Sequence, residues 1–200
     1  MAKTIELYWD IGSTNTYFAL KLIDPIARAH GAELVLQPFN LGYVFRRHNY
    51  VLMEEPSAKI NNRKRDLDRW AQKYGLAFRF PDIFPIKTSR ALRGAIAMRR
   101  WGLEHAYVDE IFRRYWEAND ASIADYAGLR AVASGLDVDA DAFEAASESP
   151  EVREALAQAT DGGLARGVFG APSFVVNGEL FWGKDRMDFI EDELERAITD

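Results

Sequence analysis

The chain has 200 residues and no cysteine among them. It cannot build a disulfide framework, a thiolate metal site or a thiol–disulfide redox centre of its own. Histidine is nearly as scarce: His30, His48 and His105 are scattered without an i, i+4 pairing, so no metal site is expected. No apolar stretch approaches the roughly 18 residues that a bilayer-spanning helix needs. The amino terminus, MAKTIELYWD, has no basic segment leading into an apolar run, so no secretory signal is expected. No serine sits in a G-x-S-x-G elbow, and no histidine is placed as its triad partner, which argues against acyl transfer. What remains is an ordinary globular composition, 48% hydrophobic and 28% charged, with ample length for a sizeable core. A cytoplasmic soluble protein is the plain expectation.

Charge is present but unevenly placed. The net charge is −6, yet residues 1–116 carry 19 Lys and Arg against 12 Asp and Glu, while residues 117–200 carry 6 against 19. Segments such as NRKRDLDR and ALRGAIAMRR concentrate the positive side. Such runs commonly form solvated helix faces, and they can also form a basic wall that attracts a small anion. No basic–aromatic motif of an RNA-binding module accompanies them, so neither a nucleic-acid nor a membrane partner is expected.

The hydrophobic pattern gives an order of elements. TIELYW (4–9) alternates and reads as a strand; a helix follows from Ser13 to about His30, with Ala19, Leu22, Ile23, Ile26 and Ala27 as its apolar stripe. Pro25 lies inside that helix, and a kink or break is expected there. ELVLQPFN (33–40) reads as a second strand, parallel to the first through a right-handed crossover. Helical spacing then dominates: 58–75, 88–102, 103–119, IADYAGLRAVASG, ADAFEAAS, and SPEVREALAQAT with Ser149 as cap. PSFVV (172–176) and ELFWG (179–183) flank Asn177–Gly178, a strong two-residue hairpin signal. A last helix is expected from about Asp185, with Met187, Ile190, Leu194, Ala197 and Ile198 inward. The fold class is α/β: a thioredoxin-like domain, β-α-β … β-β-α, interrupted by a large all-α helical insert. The expected division is 1–45 with 160–200 for the thioredoxin-like domain and 46–159 for the insert.

In YWDIGSTNTYFAL (8–20) the hydroxyl of Ser13 falls where a helix begins. Serine fills such positions as a simple N-cap. Helix starts also hold anions, because their backbone N–H groups lack partners.

The segments LYWDIGSTNTYFALK, RDLDRWAQKYGL, FPIKTSRALRGA and GVFGAPSFVVNGELFWGKDRM together resemble the DsbA-like thioredoxin superfamily. Within it they are similar to the 2-hydroxychromene-2-carboxylate isomerases and the related kappa-class glutathione transferases. The resemblance spans essentially the whole chain and is most specific from the proline segment through FWGKDR. It implies a helical insert, a homodimer, and glutathione as the working cofactor. It also implies the reaction: a glutathione-dependent isomerase interconverting 2-hydroxychromene-2-carboxylate and trans-o-hydroxybenzylidenepyruvate, in breakdown of aromatic compounds. Two alternatives stay open, a kappa-like glutathione transferase and a non-catalytic DsbA-like module that binds thiols or peptides.

The resemblance places the family's catalytic serine at Ser13. Physical chemistry supports such a role. A free thiol with a pKa of about 8.5 is only about 3% ionised at neutral pH, and lowering that pKa by ~2 units raises the thiolate about 25-fold. This asks for about 2.7 kcal/mol, within reach of one hydroxyl donor to a charged acceptor plus helix-terminal N–H groups. Where the family carries Ser-Pro-Tyr, this chain has Ser13-Thr14-Asn15.

The remaining site residues follow from the resemblance too. X-Pro bonds are mostly trans, but the family has a cis-proline facing the active helix, which maps to Ala171–Pro172. The Ala171 backbone N–H and C=O are then expected to lie unpaired and to bind the cysteinyl backbone of glutathione. Lys184 and Asp185 match the segment that binds the γ-glutamyl end, with Arg186 a weaker match; Asp185 alone would read as a helix cap. Lys59 matches a glutathione-contacting lysine, although Asn62 replaces the tyrosine often found three residues later. Asn49 matches the asparagine of the preceding loop. The loop FRFPDIFP (78–85) is expected to line the second-substrate pocket, and Lys87, where relatives carry asparagine, or Arg90 to orient an aromatic carboxylate. The five tryptophans read as core or interface packing.

Overall fold

The computed structural model describes residues 3–51 and 55–196. Strand β1 (Thr4–Trp9) leads into helix α1 (Thr14–Ala29) and strand β2 (Glu33–Pro38). Helices α2 (Leu41–Arg47), α3 (Ser57–Tyr74), α4 (Ser89–Met98), α5 (Glu104–Trp116), α6 (Tyr126–Gly135), α7 (Ala140–Glu148) and α8 (Pro150–Ala165) follow. The chain closes with β3 (Ser173–Val176), β4 (Glu179–Trp182) and α9 (Met187–Glu195). Sheet order is β2-β1-β3-β4, with β1 and β2 parallel from Thr4↔Glu33 to Trp9↔Pro38. The β1–β3 and β3–β4 pairs are antiparallel. This is the thioredoxin arrangement with helices α3–α8 carried between its halves. The residue pair 159–160, expected as a domain boundary, falls inside α8.

The strand period of two explains how the sheet builds two apolar layers. Ile5, Leu7 and Trp9 of β1 and Phe174 and Val176 of β3 face the large core shared with α1, α4 and α5. Tyr8 and Val175 point the other way, joining Phe39, Leu41, Val44 and Val168. The Asn177–Gly178 turn has φ of 50° and 87°, the left-handed pair that a tight hairpin requires. Gly75 and Gly102, both at positive φ, end α3 and the short 3₁₀ turn after α4 where the sequence places stops.

Two expectations need correction. Pro25 neither breaks nor ends α1, which runs continuously from Thr14 to Ala29. Proline removes one backbone hydrogen bond, but Pro25 is on the exposed face, where water can serve the freed carbonyl, while Tyr17, Phe18, Ile23 and Ala27 hold the opposite face in the core. The last helix starts at Met187 rather than about Asp185, because Arg186 has non-helical backbone angles (φ −111°, ψ 16°) and takes the N-cap position. Of its expected inward residues, Ile190 and Leu194 are buried and Met187 is packed against the core; Ala197 and Ile198 lie outside the described residues. Helix α2 goes unannounced by periodicity, being only two turns long, although Asn40 caps it by accepting from the Tyr43 N–H.

Trp9 and Trp116 are fully buried, whereas Trp101 and Trp182 stand partly in solvent. The phenylalanines of the 78–85 loop turn inward: Phe78, Phe80 and Phe84 all pack around Trp116. Trp116 in turn donates from its indole to the Ile11 carbonyl at 2.9 Å, fastening α5 to the loop that precedes α1.

Candidate active site

β1 ends on an apolar run, and the chain must then turn to start α1. Asp10 organises that turn. Its carboxylate accepts from the Gly12 N–H at 2.8 Å, the Leu41 N–H at 2.9 Å and the Thr88 hydroxyl at 3.1 Å, joining three segments remote in sequence. Asp10 is almost completely buried. Burial raises its pKa to about 6, against the opposing pull of those three donors. Gly12 sits close to Thr88: a Cβ there would meet the Thr88 methyl at 3.1 Å, so that methyl would have to give by a few tenths of an ångström.

Ser13 follows at the start of α1. Its oxygen accepts from the Thr16 N–H at 3.2 Å, so the capping role is real. Its proton goes elsewhere, to the carbonyl of Ala171 at 2.9 Å. This corrects the expectation of an unpaired Ala171 carbonyl: in this structure the serine itself satisfies it. The Ala171–Pro172 bond is cis, as the resemblance implies, and Phe84–Pro85 is cis as well. Ser13 is 9% exposed, and its partner Ala171 is half-buried.

The other side of the proline leads to the GKDRM segment. The Gly183 N–H donates to the Pro172 carbonyl at 3.0 Å, so Lys184 and Asp185 follow directly on a residue bonded to the cis-proline. The Lys184 ammonium lies over the Trp70 ring of α3, 4.6 Å from its centroid. Burial there lowers its pKa, countered by Asp66 and Asp185. Asp185 is exposed, caps no helix, and pairs with Arg186 at 2.6 Å.

Two expected residues stand apart. Lys59, in the first turn of α3, forms an ion pair with Glu55 at 2.8 Å. It lies eleven residues from Trp70 on one helix, about 16 Å along the axis. Asn49 takes a left-handed conformation (φ 52°) just after α2, and the Tyr50 N–H bonds back to the Phe45 carbonyl, so its visible work is to end that helix. The structure brings neither into hydrogen-bond contact with Ser13.

Sequence reasoning missed Asp10, Thr88, Arg93 and Arg153. A lone acid closing an apolar strand just before Gly-Ser was the available signal for Asp10. Arg93 and Arg153 had none, since their setting depends on how α4, α7 and α8 meet. Among the described residues no group of His, Asp and Glu side chains converges as a metal site, and no helix is long and apolar enough to cross a membrane.

A thioredoxin-type sheet, a helix start capped by Ser13 in a chain without cysteine, and a cis-proline at Ala171–Pro172 bonded to it define the class. The family model described as a DSBA-like thioredoxin domain matches residues 4–195. A 2-hydroxychromene-2-carboxylate isomerase from Sphingobium xenophagum is 33% identical over 97% of this chain and 99% of its own. A solved structure of a 2-hydroxychromene-2-carboxylate isomerase superposes with a TM-score of 0.82 at 28% identity, covering 94% of this chain and 93% of that one. A glutathione S-transferase kappa 2 from Caenorhabditis elegans is 25% identical over 96% of this chain and 92% of its own. The chain belongs to the 2-hydroxychromene-2-carboxylate isomerase family of DsbA-like thioredoxin-domain proteins.

Proposed function

We propose that the protein is a glutathione-dependent isomerase interconverting 2-hydroxychromene-2-carboxylate and trans-o-hydroxybenzylidenepyruvate, acting as a cytoplasmic homodimer. The observation that carries this reading is the Ser13–Ala171 hydrogen bond in a chain without cysteine. The pair offers one hydroxyl proton and one carbonyl lone pair side by side. A cysteinyl residue of a peptide thiol presents the complement, a sulfur anion and an amide N–H three bonds apart. The donor set therefore suits glutathione, and the sulfur must come from outside.

In this mechanism Ser13 redirects its proton from the Ala171 carbonyl to the bound sulfur, and the freed carbonyl accepts an amide N–H. The oxygen of Ser13 keeps its bond from the Thr16 N–H, so α1 stays capped throughout. That fixed amide and the positive end of α1 favour an anion at the hydroxyl. Ser13 and the start of α1 would hold glutathione's sulfur as a thiolate, the nucleophile that a reversible addition to a conjugated acid would require. Lys184 and Asp185 hold the γ-glutamyl end; Lys59 and Asn49 reach the cofactor only if the segments carrying them approach it. The low exposure of Ser13 excludes water and strengthens the hydroxyl's hold on charge.

A second reading, conjugation by a kappa-like transferase, is favoured by the Caenorhabditis elegans relative and uses the same serine. Mass spectrometry of the product decides: an isomer keeps the mass of the substrate, whereas a conjugate gains glutathione. The isomerase proposal is tested by following the chromene carboxylate with and without glutathione. Turnover that needs no thiol would refute it.

A further inference from the structure

Two adjoining cavities, of about 280 Å³ and 340 Å³, open where α2, α4 and α8 meet, and Ser89, Arg93 and Arg153 line both. Lys87 belongs to the first cavity, and Arg46 of α2 to the second. Asn40, which follows β2, also lines the second. The recess therefore lies beyond the carboxyl end of a parallel strand, where α/β folds take their ligands.

The carboxylates in this recess are already engaged. Glu148 accepts from Arg93, from Arg153 and from the Tyr126 hydroxyl. Arg90 pairs with Asp125 at 2.5 Å, and Asp161 pairs with Arg47 at 3.4 Å. Lys87 and Arg46, both exposed, make no ion pair among the described residues. Arg93 is only 9% exposed and is steadied by the Ser147 carbonyl at 3.1 Å, so its charge is fixed in place. The fold thus divides one carboxylate between two arginines and leaves two further cations unmatched. Like charges gathered in one recess repel each other, a cost that a bound anion removes. The Thr88 hydroxyl is committed to Asp10 at 3.1 Å, so no side chain caps α4, and the positive start of that ten-residue helix adds to the same field.

We infer that the boundary shared by the two cavities binds a phosphoryl dianion, as inorganic phosphate or at the end of a small monoester. A carboxylate offers one charge and two oxygens in a plane. A phosphoryl group offers two charges and oxygens directed to several sides, which suits donors that arrive from α2, α4 and α8 and include guanidinium, ammonium and hydroxyl groups. Lys87 and Arg46 supply the two charges it needs; Arg153 and the Ser89 hydroxyl supply directed donors. Tyr43, Leu156 and Ala157 give the second cavity an apolar wall, with room for the organic part of an ester. Neither Ser13 nor Ala171 lines either cavity, so the site goes beyond the isomerase reading and does not depend on it.

The test titrates inorganic phosphate into the full chain by calorimetry, in a phosphate-free buffer held at constant ionic strength with sodium chloride. The wild type should bind saturably. Lys87→Met and Arg46→Met should each bind about ten-fold more weakly; both side chains are exposed and unpaired, which keeps the variants clear of folding defects. Lys3→Met makes the same change in net charge at the amino end of β1, and it should bind as the wild type does, as should Ser13→Ala. Phenyl phosphate binding more tightly than phosphate upholds the site and assigns it to a monoester; equal affinity upholds it for the free ion. No saturable binding below about 10 mM phosphate overturns the assignment. So does a loss in Lys3→Met as large as that in Lys87→Met, or acetate binding as tightly as phosphate. Turnover of the chromene carboxylate is a separate measurement and bears on the isomerase reading alone.

Discussion

The turn at residues 10–13 has two flanks built on opposite terms. Toward β3, Ser13 and Ala171 satisfy each other with neutral groups. Toward α4, Asp10 binds Thr88, and beyond it lies a wall of cations whose charges are only partly matched. A ligand on the first flank must exchange one hydrogen bond for another. On the second flank it supplies a charge the fold withholds. The contrast teaches how one short loop can carry two kinds of surface, a neutral pair closed on itself and a group of cations only partly matched.

The strongest way to break this contrast is Ser13→Ala. It removes the hydroxyl proton that Ser13 offers on the neutral flank, so a bound thiol should be about ten-fold less ionised at neutral pH and turnover should fall at least as far. Thiolate absorbance of the protein–glutathione complex checks this; an unchanged signal would mean that the serine only caps α1. Losing the cap should cost about 1 kcal/mol of stability, visible in denaturant melts.

Asp10 tests the hinge between the flanks. Its pKa lies at about 6 in the fold, above the ordinary 3.8. Between those values the folded chain holds a proton that the unfolded chain has released, so this group makes stability fall as pH rises from about 4 to about 6. The effect levels off above that window. Asp10→Asn should abolish this slope in urea melts taken at stepped pH. It should also cost on the order of 1–3 kcal/mol, because an amide cannot accept from Gly12, Leu41 and Thr88 together.

Smaller effects sharpen the neutral flank further. If Asp185 holds the γ-glutamyl end as proposed, Asp185→Asn should weaken glutathione binding about ten-fold and leave kcat at saturating glutathione unchanged. Lys59→Ala should matter least, by a factor of about two, because its ammonium already pairs with Glu55 at an exposed site. Calorimetry with glutathione ranks the two.

Much of this was written locally. Alternation in TIELYW, the Asn177–Gly178 turn, the glycine stops at 75 and 102, and Ser13 at a helix start are all set by short-range sterics and side-chain period, so the sequence by itself determined them. Pro172 needed the family resemblance, because an X-Pro dipeptide alone reads as trans. Only the tertiary structure decided that Ser13 spends its proton on Ala171, that Asp10 ties β1 to α2 and α4, and that Arg93 and Arg153 converge on Glu148. These pairings join residues far apart in the chain, and their geometry is fixed by how the helices pack on the sheet, which leaves no periodic signal along the sequence.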